Sequence, residues 1–289
     1  MTSEGSQVFQ DSPPTAPTTM DSEDESRKWY SVQWVDFKLC CRRLRDVSTQ
    51  HPRIPFWLYA LYRFAIAAYF LSIFLYYFVS AAKIAGPWFL VYYNVWTFLI
   101  ATCYVCFAFV NTALDFVKSR MNAALQDKFR YQIQWFLFNI IATPCLIVSV
   151  FNWWLWLNYA PKEEAPNLFT VSTVELPTAI CLIEILVTLI VVRFVHVVYP
   201  LSCLIIYLFF AVVYWVAGGT DRFENHYIYF FLDFENYPDI AAATVVAVIF
   251  GTLLFQAILK GLYAIRVRSA ADVSCEDAQR ICREDTVDV

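Results

Sequence analysis

The chain predicts an all-α fold, a polytopic transmembrane bundle of six spans with both termini cytoplasmic, and three observations carry that prediction. Sixty per cent of its 289 residues are apolar and 16% charged, with a net charge of −4, where a soluble domain holds about half apolar and a quarter charged residues. Mean hydropathy is +0.51. Six runs are long enough to cross ~30 Å of hydrocarbon as helix, and they are apolar all round rather than alternating as barrel strands do. The short connections, finally, carry Lys and Arg mostly on one side, as cytoplasmic loops do.

Residues 1–28 mix Ser, Thr, Pro and acids, with Pro13-Pro14 and an acidic run from Ser22 to Ser26. Such a composition buries too little apolar surface to offset ordering entropy, so a disordered tail is expected. No basic region followed by a short apolar core opens the chain, so no cleavable signal peptide is expected. Residues 29–55 alternate aromatics with bases. They are expected either to lie on the membrane, with Lys38, Arg42, Arg43 and Arg45 against anionic headgroups, or to form a solvated basic flank. Cys40 and Cys41 are candidate palmitoylation sites beside those bases.

The bundle proper is placed at 56–265. Its spans are Phe56–Ser80, Trp88–Val110, Gln134–Leu157, Leu176–Val195, Leu201–Ala217 and Ile240–Tyr263. One side of these runs collects Lys38 to Arg53, then Lys118 to Arg130, then Arg193, and finally Lys260, Arg266 and Arg268. The other holds Lys83, Lys162 and Arg222. Trp153, Trp154 and Trp156 mark an outer aromatic belt, and Pro161–Thr173 reads as loop. None of the nine cysteines falls in an outside loop. Cys103 and Cys106 read as packing residues within a span. Residues 266–289 form a cytoplasmic tail, polar and expected to be disordered beyond 268. Its end, Val287 to Val289, is either a solvated terminus or a short ligand for a PDZ-type groove.

Polar atoms at membrane depth are costly and so informative. Arg63, near the start of the first span, is expected to snorkel to the cytoplasmic interface. Glu184, the one acid well inside a span, shares a helical face with Cys181 and Thr188. Desolvation would keep it protonated, as an interhelical donor or as a proton relay. Thr244, Thr252, Gln256 and Lys260 form a stripe in the last span that must face inward, with Lys260 reaching the headgroups. Asn94 and Thr97 pair at i, i+3. Asn139 and Thr143 precede Pro144, whose missing ladder bond Thr143 is placed to offset in part.

The acids Asp221, Glu224, Asp233, Glu235 and Asp239 read as a hydrated outside loop rather than a calcium site. His51, His196 and His226 are scattered, so no metal is expected. There is no phosphate-cradling Gly loop, nucleophile elbow or basic nucleic-acid surface, and hence no expected cofactor or nucleic-acid partner. The lipid bilayer is the one partner the composition requires.

At Tyr62-Arg63, the Glu184 helix, Arg193, His196 and Tyr199-Pro200, and above all at YWVAGGTD (Tyr214–Asp221) and YIYFFLDFENYPD (Tyr227–Asp239), the chain resembles the rolling stone-like multi-pass proteins. The likeness runs from about Phe56 to Ile265 and is most specific in the last block. It implies Arg63, Arg193, His196, Pro200, Gly218, Gly219, Thr220, Asp221 and Asp233 as motif residues. It further implies a non-enzymatic plasma-membrane protein of cell–cell adhesion or myoblast-type fusion, meeting a membrane-protein partner through loop 218–239. The endoplasmic reticulum is the alternative compartment.

Rolling stone-like proteins are distantly similar to the androgen-induced multi-pass hydrolases of fatty-acid esters, which use an intramembrane Thr and a His. That likeness implies a lipid ligand and maps the Thr to Thr97. The His position, ten residues before Glu184, is Val174 here, and the Asn position three further on is Pro177. A Thr hydroxyl needs an adjacent base, a role that would fall to a group from elsewhere, such as Glu184. A transporter built on Glu184 and the Thr252–Gln256–Lys260 face is a further alternative.

Overall fold

In the computed structural model, residues 54–120, 128–159, 171–188, 190–221 and 224–284 are described. The expected tail 1–28, the surface segment with Lys38, Cys40, Cys41, Arg42, Arg43 and Arg45, and most of loop 161–173 lie outside them. The rest is an all-α membrane bundle. Its helices are α1 (Phe56–Ala85), α2 (Tyr93–Arg120), α3 (Lys128–Tyr159), α4 (Leu176–Val187), α5 (Val198–Val216) and α6 (Pro238–Glu284). Short 3-10 turns at Gly86–Val91, Phe194–Val197 and Phe230–Leu232 and a π turn at Val171–Glu175 join them. Five stretches are long and apolar enough to cross a membrane: Phe56–Ser80, Tyr93–Val117, Phe129–Asn158, Phe194–Val216 and Pro238–Val267.

α1 starts directly after Pro55, whose carbonyl accepts from the N–H groups of Leu58 (3.1 Å) and Tyr59 (3.2 Å). It then runs 30 residues without an internal Gly or Pro. α1 packs on α2, α2 on α3, and α3 on α4, α5 and α6, so α3 is the central post. The main core gathers Phe70, Phe98, Tyr104, Trp135, Phe138, Ile185 and Leu259. A second cluster of Tyr93, Leu204, Tyr207 and Ile228 lies under the loop after α5. Lipid is as apolar as these side chains, so shape matching and interhelical hydrogen bonds, rather than hydrophobic transfer, hold the helices together. Ile205, Ile206, Phe209, Phe250 and Leu254 point outward, as lipid-facing residues must.

Three expectations need correction. Leu176–Val195 is not one helix: α4 is 12 residues long and the chain runs extended before the turn at Phe194. Even with the π turn before it, the segment barely reaches the length needed to span. The run Ile190-Val191-Val192 is β-branched and favours extended backbone. Residues 269–284, expected to be irregular, continue α6 instead. Ala270, Ala271, Ala278, Gln279 and Arg280 are good helix formers, and extending an existing helix avoids the cost of nucleating one. Thr143 does not offset the bond lost at Pro144 either; its hydroxyl donates across to Gln256 Oε1 on α6 at 2.8 Å.

Candidate functional site

Arg63 does not snorkel. It is 2% exposed and its guanidinium grips Glu184, itself 1% exposed, with Nη1 to Oε1 at 2.5 Å and Nη2 to Oε2 at 2.8 Å. The hydroxyls of Tyr62 (3.0 Å) and Tyr104 (2.9 Å) donate to the same carboxylate. Tyr59 Oη accepts from Arg63 Nε (2.9 Å) and Nη2 (2.7 Å). A carboxylate offers about four lone-pair positions, and here four donors meet them. Glu184 is therefore an acceptor throughout, not the protonated donor expected from lone burial. Hydropathy treats each residue alone and so carries no sign of this pairing. The signal for the pairing lay in one Arg and one acid, both at membrane depth.

Past Glu184 the helix opens, and side chains of its own and of neighbouring helices bond to its freed backbone. Thr188 Oγ1 donates to Glu184 O (2.7 Å) and accepts from Ile190 N–H (3.3 Å). Arg266, from α6, donates to the carbonyls of Ile185 (2.8 Å), Thr188 and Ile190 (3.2 Å). Trp135 Nε1 donates to Val191 O (2.8 Å), and Gln256 Nε2 to Arg193 O (3.0 Å). Non-helical backbone is tolerated at membrane depth only when protein groups satisfy it in this way. The motif residues cluster around this break. The Arg193 guanidinium lies 5.8 Å from the Trp135 ring, and buried His196 meets the edges of Trp135 and Tyr199. Pro200 sits in the first turn of α5, where a missing N–H costs nothing.

At the other end, α5 stops in a Schellman motif. Gly218 takes φ +73° and donates to Trp215 O, while Gly219 N–H reaches Tyr214 O, both at 2.9 Å. A Cβ on Gly219 would lie 2.5 Å from the Tyr214 ring, whose hydroxyl donates to Thr220 O. The acids that follow act as clasps. Asp221 accepts from the backbone (2.8 Å) and side-chain amide (2.9 Å) of Asn225. Asp233 accepts from the N–H groups of Glu235 (3.1 Å) and Asn236 (2.9 Å) and from the Asn236 amide (2.9 Å). Partial desolvation pushes the Asp233 carboxyl up, but the Asn236 and Glu235 hydrogen bonds outweigh it and hold the group below its ordinary value.

Beneath this loop, between α2, α3, α5 and α6, lies a cavity of ≈ 140 Å³. Thr244 of the predicted polar stripe lines it, whereas Thr252 and Gln256 are buried deeper and Lys260 is exposed. Val174, where the hydrolase likeness expects His, is also in its wall, with Asn94 opposite. Thr97 is buried one turn below Asn94, and its hydroxyl donates to the backbone carbonyls of Asn94 (2.8 Å) and Tyr93 (3.3 Å). Thr97 and Glu184 are thus each held by other partners, and no hydrogen bond joins them among those described. Tyr59, Tyr62, Tyr104 and Arg266 belong to the site although nothing in the chain's periodicity singles them out.

A bundle whose helices close on a buried ion pair and whose broken segment is satisfied from neighbouring helices defines an integral, polytopic α-helical membrane protein. Residues 38–275 match the family profile described as "Protein rolling stone", and the chain belongs to the rolling stone family. It is 27% identical to Protein rolling stone of Drosophila melanogaster over 217 residues, 72% of this chain and 78% of that one. No solved structure matches it.

Proposed function

We propose that the protein is a non-catalytic multi-pass protein of the plasma membrane, with both termini cytoplasmic, that acts in cell–cell adhesion or myoblast-type fusion through its 218–239 loop. The observation that carries this reading is the fixed shape of that loop. Two Asp–Asn clasps hold it, and Phe230 (43% exposed) and Tyr237 (59% exposed) face outward from it. Preorganised, outward aromatics are what a protein partner would bind at low entropic cost. The engagement of Glu184 and Thr97 with other groups supports the non-catalytic part. Removing the protein from cells that fuse should lower fusion severalfold, with rescue by Thr97→Ala but not by the Asp221→Ala/Asp233→Ala pair. Fusion unaffected by the removal would sink the proposal.

A second reading, hydrolysis of a lipid ester at Thr97, has the nearby cavity in its favour. Labelling by a fluorophosphonate probe that disappears in Thr97→Ala would establish it over the first.

A further inference from the structure

We propose that the cavity under the loop is a lipid site: it takes the acyl chain of a bilayer lipid that carries a free hydroxyl, entering through the seam between α5 and α6, with that hydroxyl donating to Asn94 Oδ1. The site does not depend on the adhesion or fusion reading. Its walls are apolar side chains such as Ile147, Leu204, Leu208 and Val248, and among the described lining residues there is no acid, His, Lys or Arg. A charged headgroup therefore has nothing to pair with and stays outside, while a hydrocarbon chain is well matched. A cavity of about 150 Å³ with such walls holds a benzene-sized guest, and ≈ 140 Å³ is available here. That room suits part of a flexible chain and is too little for four fused rings.

Two further observations fix the entry and the polar end. α5 and α6 touch only sparsely along their length. Both helices expose large apolar side chains, among them Ile205, Phe209, Val246 and Phe250, so a seam between them meets lipid rather than water. Within the wall, Asn94 Oδ1 is buried and has no hydrogen-bond partner. A buried amide oxygen left without a donor is rare and calls for an explanation, which a lipid hydroxyl at the same depth, donating to Oδ1, supplies. The roof is firm: Tyr229 and Phe231 stack at 5.0 Å, and Tyr229 Oη accepts from Tyr93 N–H at 2.9 Å.

The test uses the full chain in phosphatidylcholine vesicles doped with a diacylglycerol, which has one free hydroxyl, carrying a diazirine on one acyl chain, with a diazirine sterol in parallel. The acyl probe should label peptides around 147–155 and 244–248 saturably, and unlabelled lipid should displace it. Val248→Trp, or Leu208→Trp from the opposite wall, should cut that labelling at least tenfold, whereas the lipid-facing Phe250→Trp should leave it unchanged. Asn94→Leu should weaken it about fivefold, the value of one neutral hydrogen bond. If neither filling variant folds, displacement in the unaltered protein decides: labelling that does not saturate overturns the site. Labelling spread over lipid-facing residues and indifferent to filling, or cavity labelling by the sterol alone, overturns it too.

Discussion

Arg63 and Glu184 cancel each other's charge inside hydrocarbon, and that mutual dependence makes each intolerant of the other's loss. Removing one partner of a buried pair strands a charge and costs about 3–5 kcal/mol, whereas replacing both with apolar residues of similar volume is close to neutral. Arg63→Met and Glu184→Leu should each lower the detergent melting temperature sharply, and the double variant should recover most of it. A double variant as unstable as either single would show that the tyrosines, not the pair, carry the bundle. Asp233 supplies the pH dependence. Its carboxyl is held below the ordinary value by the Asn236 and Glu235 donors after desolvation is overcome. Its contribution is therefore complete above the unfolded aspartate value of about 3.9 and is lost as pH falls through the lower folded value. Proteolysis of the 224–237 loop should stay slow through mildly acidic pH and accelerate only below that window.

Among the elements, the opening between α4 and α5 and the turn after α5 are the most demanding. Gln256 bridges Thr143 on α3 to the Arg193 carbonyl. Gln256→Leu strands the Thr143 hydroxyl and leaves the Arg193 carbonyl with the His196 N–H alone, and should destabilise by about 1–3 kcal/mol, seen as faster hydrogen exchange at 188–197. Gly219→Ala drives a methyl into the Tyr214 ring, a crowding that costs about 1–3 kcal/mol. It should loosen residues 218–225 without disturbing the Arg63–Glu184 pair. In both features the motif residues have structural parts in the fold. Gly218 and Gly219 permit a helix stop, Asp221 and Asp233 close turns, and Pro200 opens a helix. Turn chemistry of this kind was legible in GGTD. The break after Glu184 was not, because its carbonyls accept from Trp135, Gln256 and Arg266, between 56 and 81 residues away along the chain.

At the scale of the whole molecule, the ends that meet are consistent. The start of α2, the π turn and the loop after α5 share one end, joined by Tyr93 to Tyr229, Tyr69 to Ser172 and Phe151 to Phe231. By the bias of Lys and Arg that end is expected to be the outside. The chain has no Asn-x-Ser/Thr acceptor. Phe169→Thr creates one at Asn167, and the variant expressed in cells should gain an endoglycosidase-sensitive mass. An unglycosylated product, with the tails reactive on intact cells, would reverse the map.

Hydropathy by itself determined the class and the approximate position of the five helices long and apolar enough to cross a membrane, and charge placement the sidedness expected of their connections. Those properties are sums over local stretches, and lipid imposes its length requirement on each stretch separately. The tertiary structure alone decided that Arg63 turns inward, that the fourth apolar run breaks at Thr188, and that a cavity forms beneath the loop. Each depends on groups distant in sequence meeting at one point: a cation needs its anion, an opened backbone needs foreign donors, and an unfilled volume arises only where several helices fail to close.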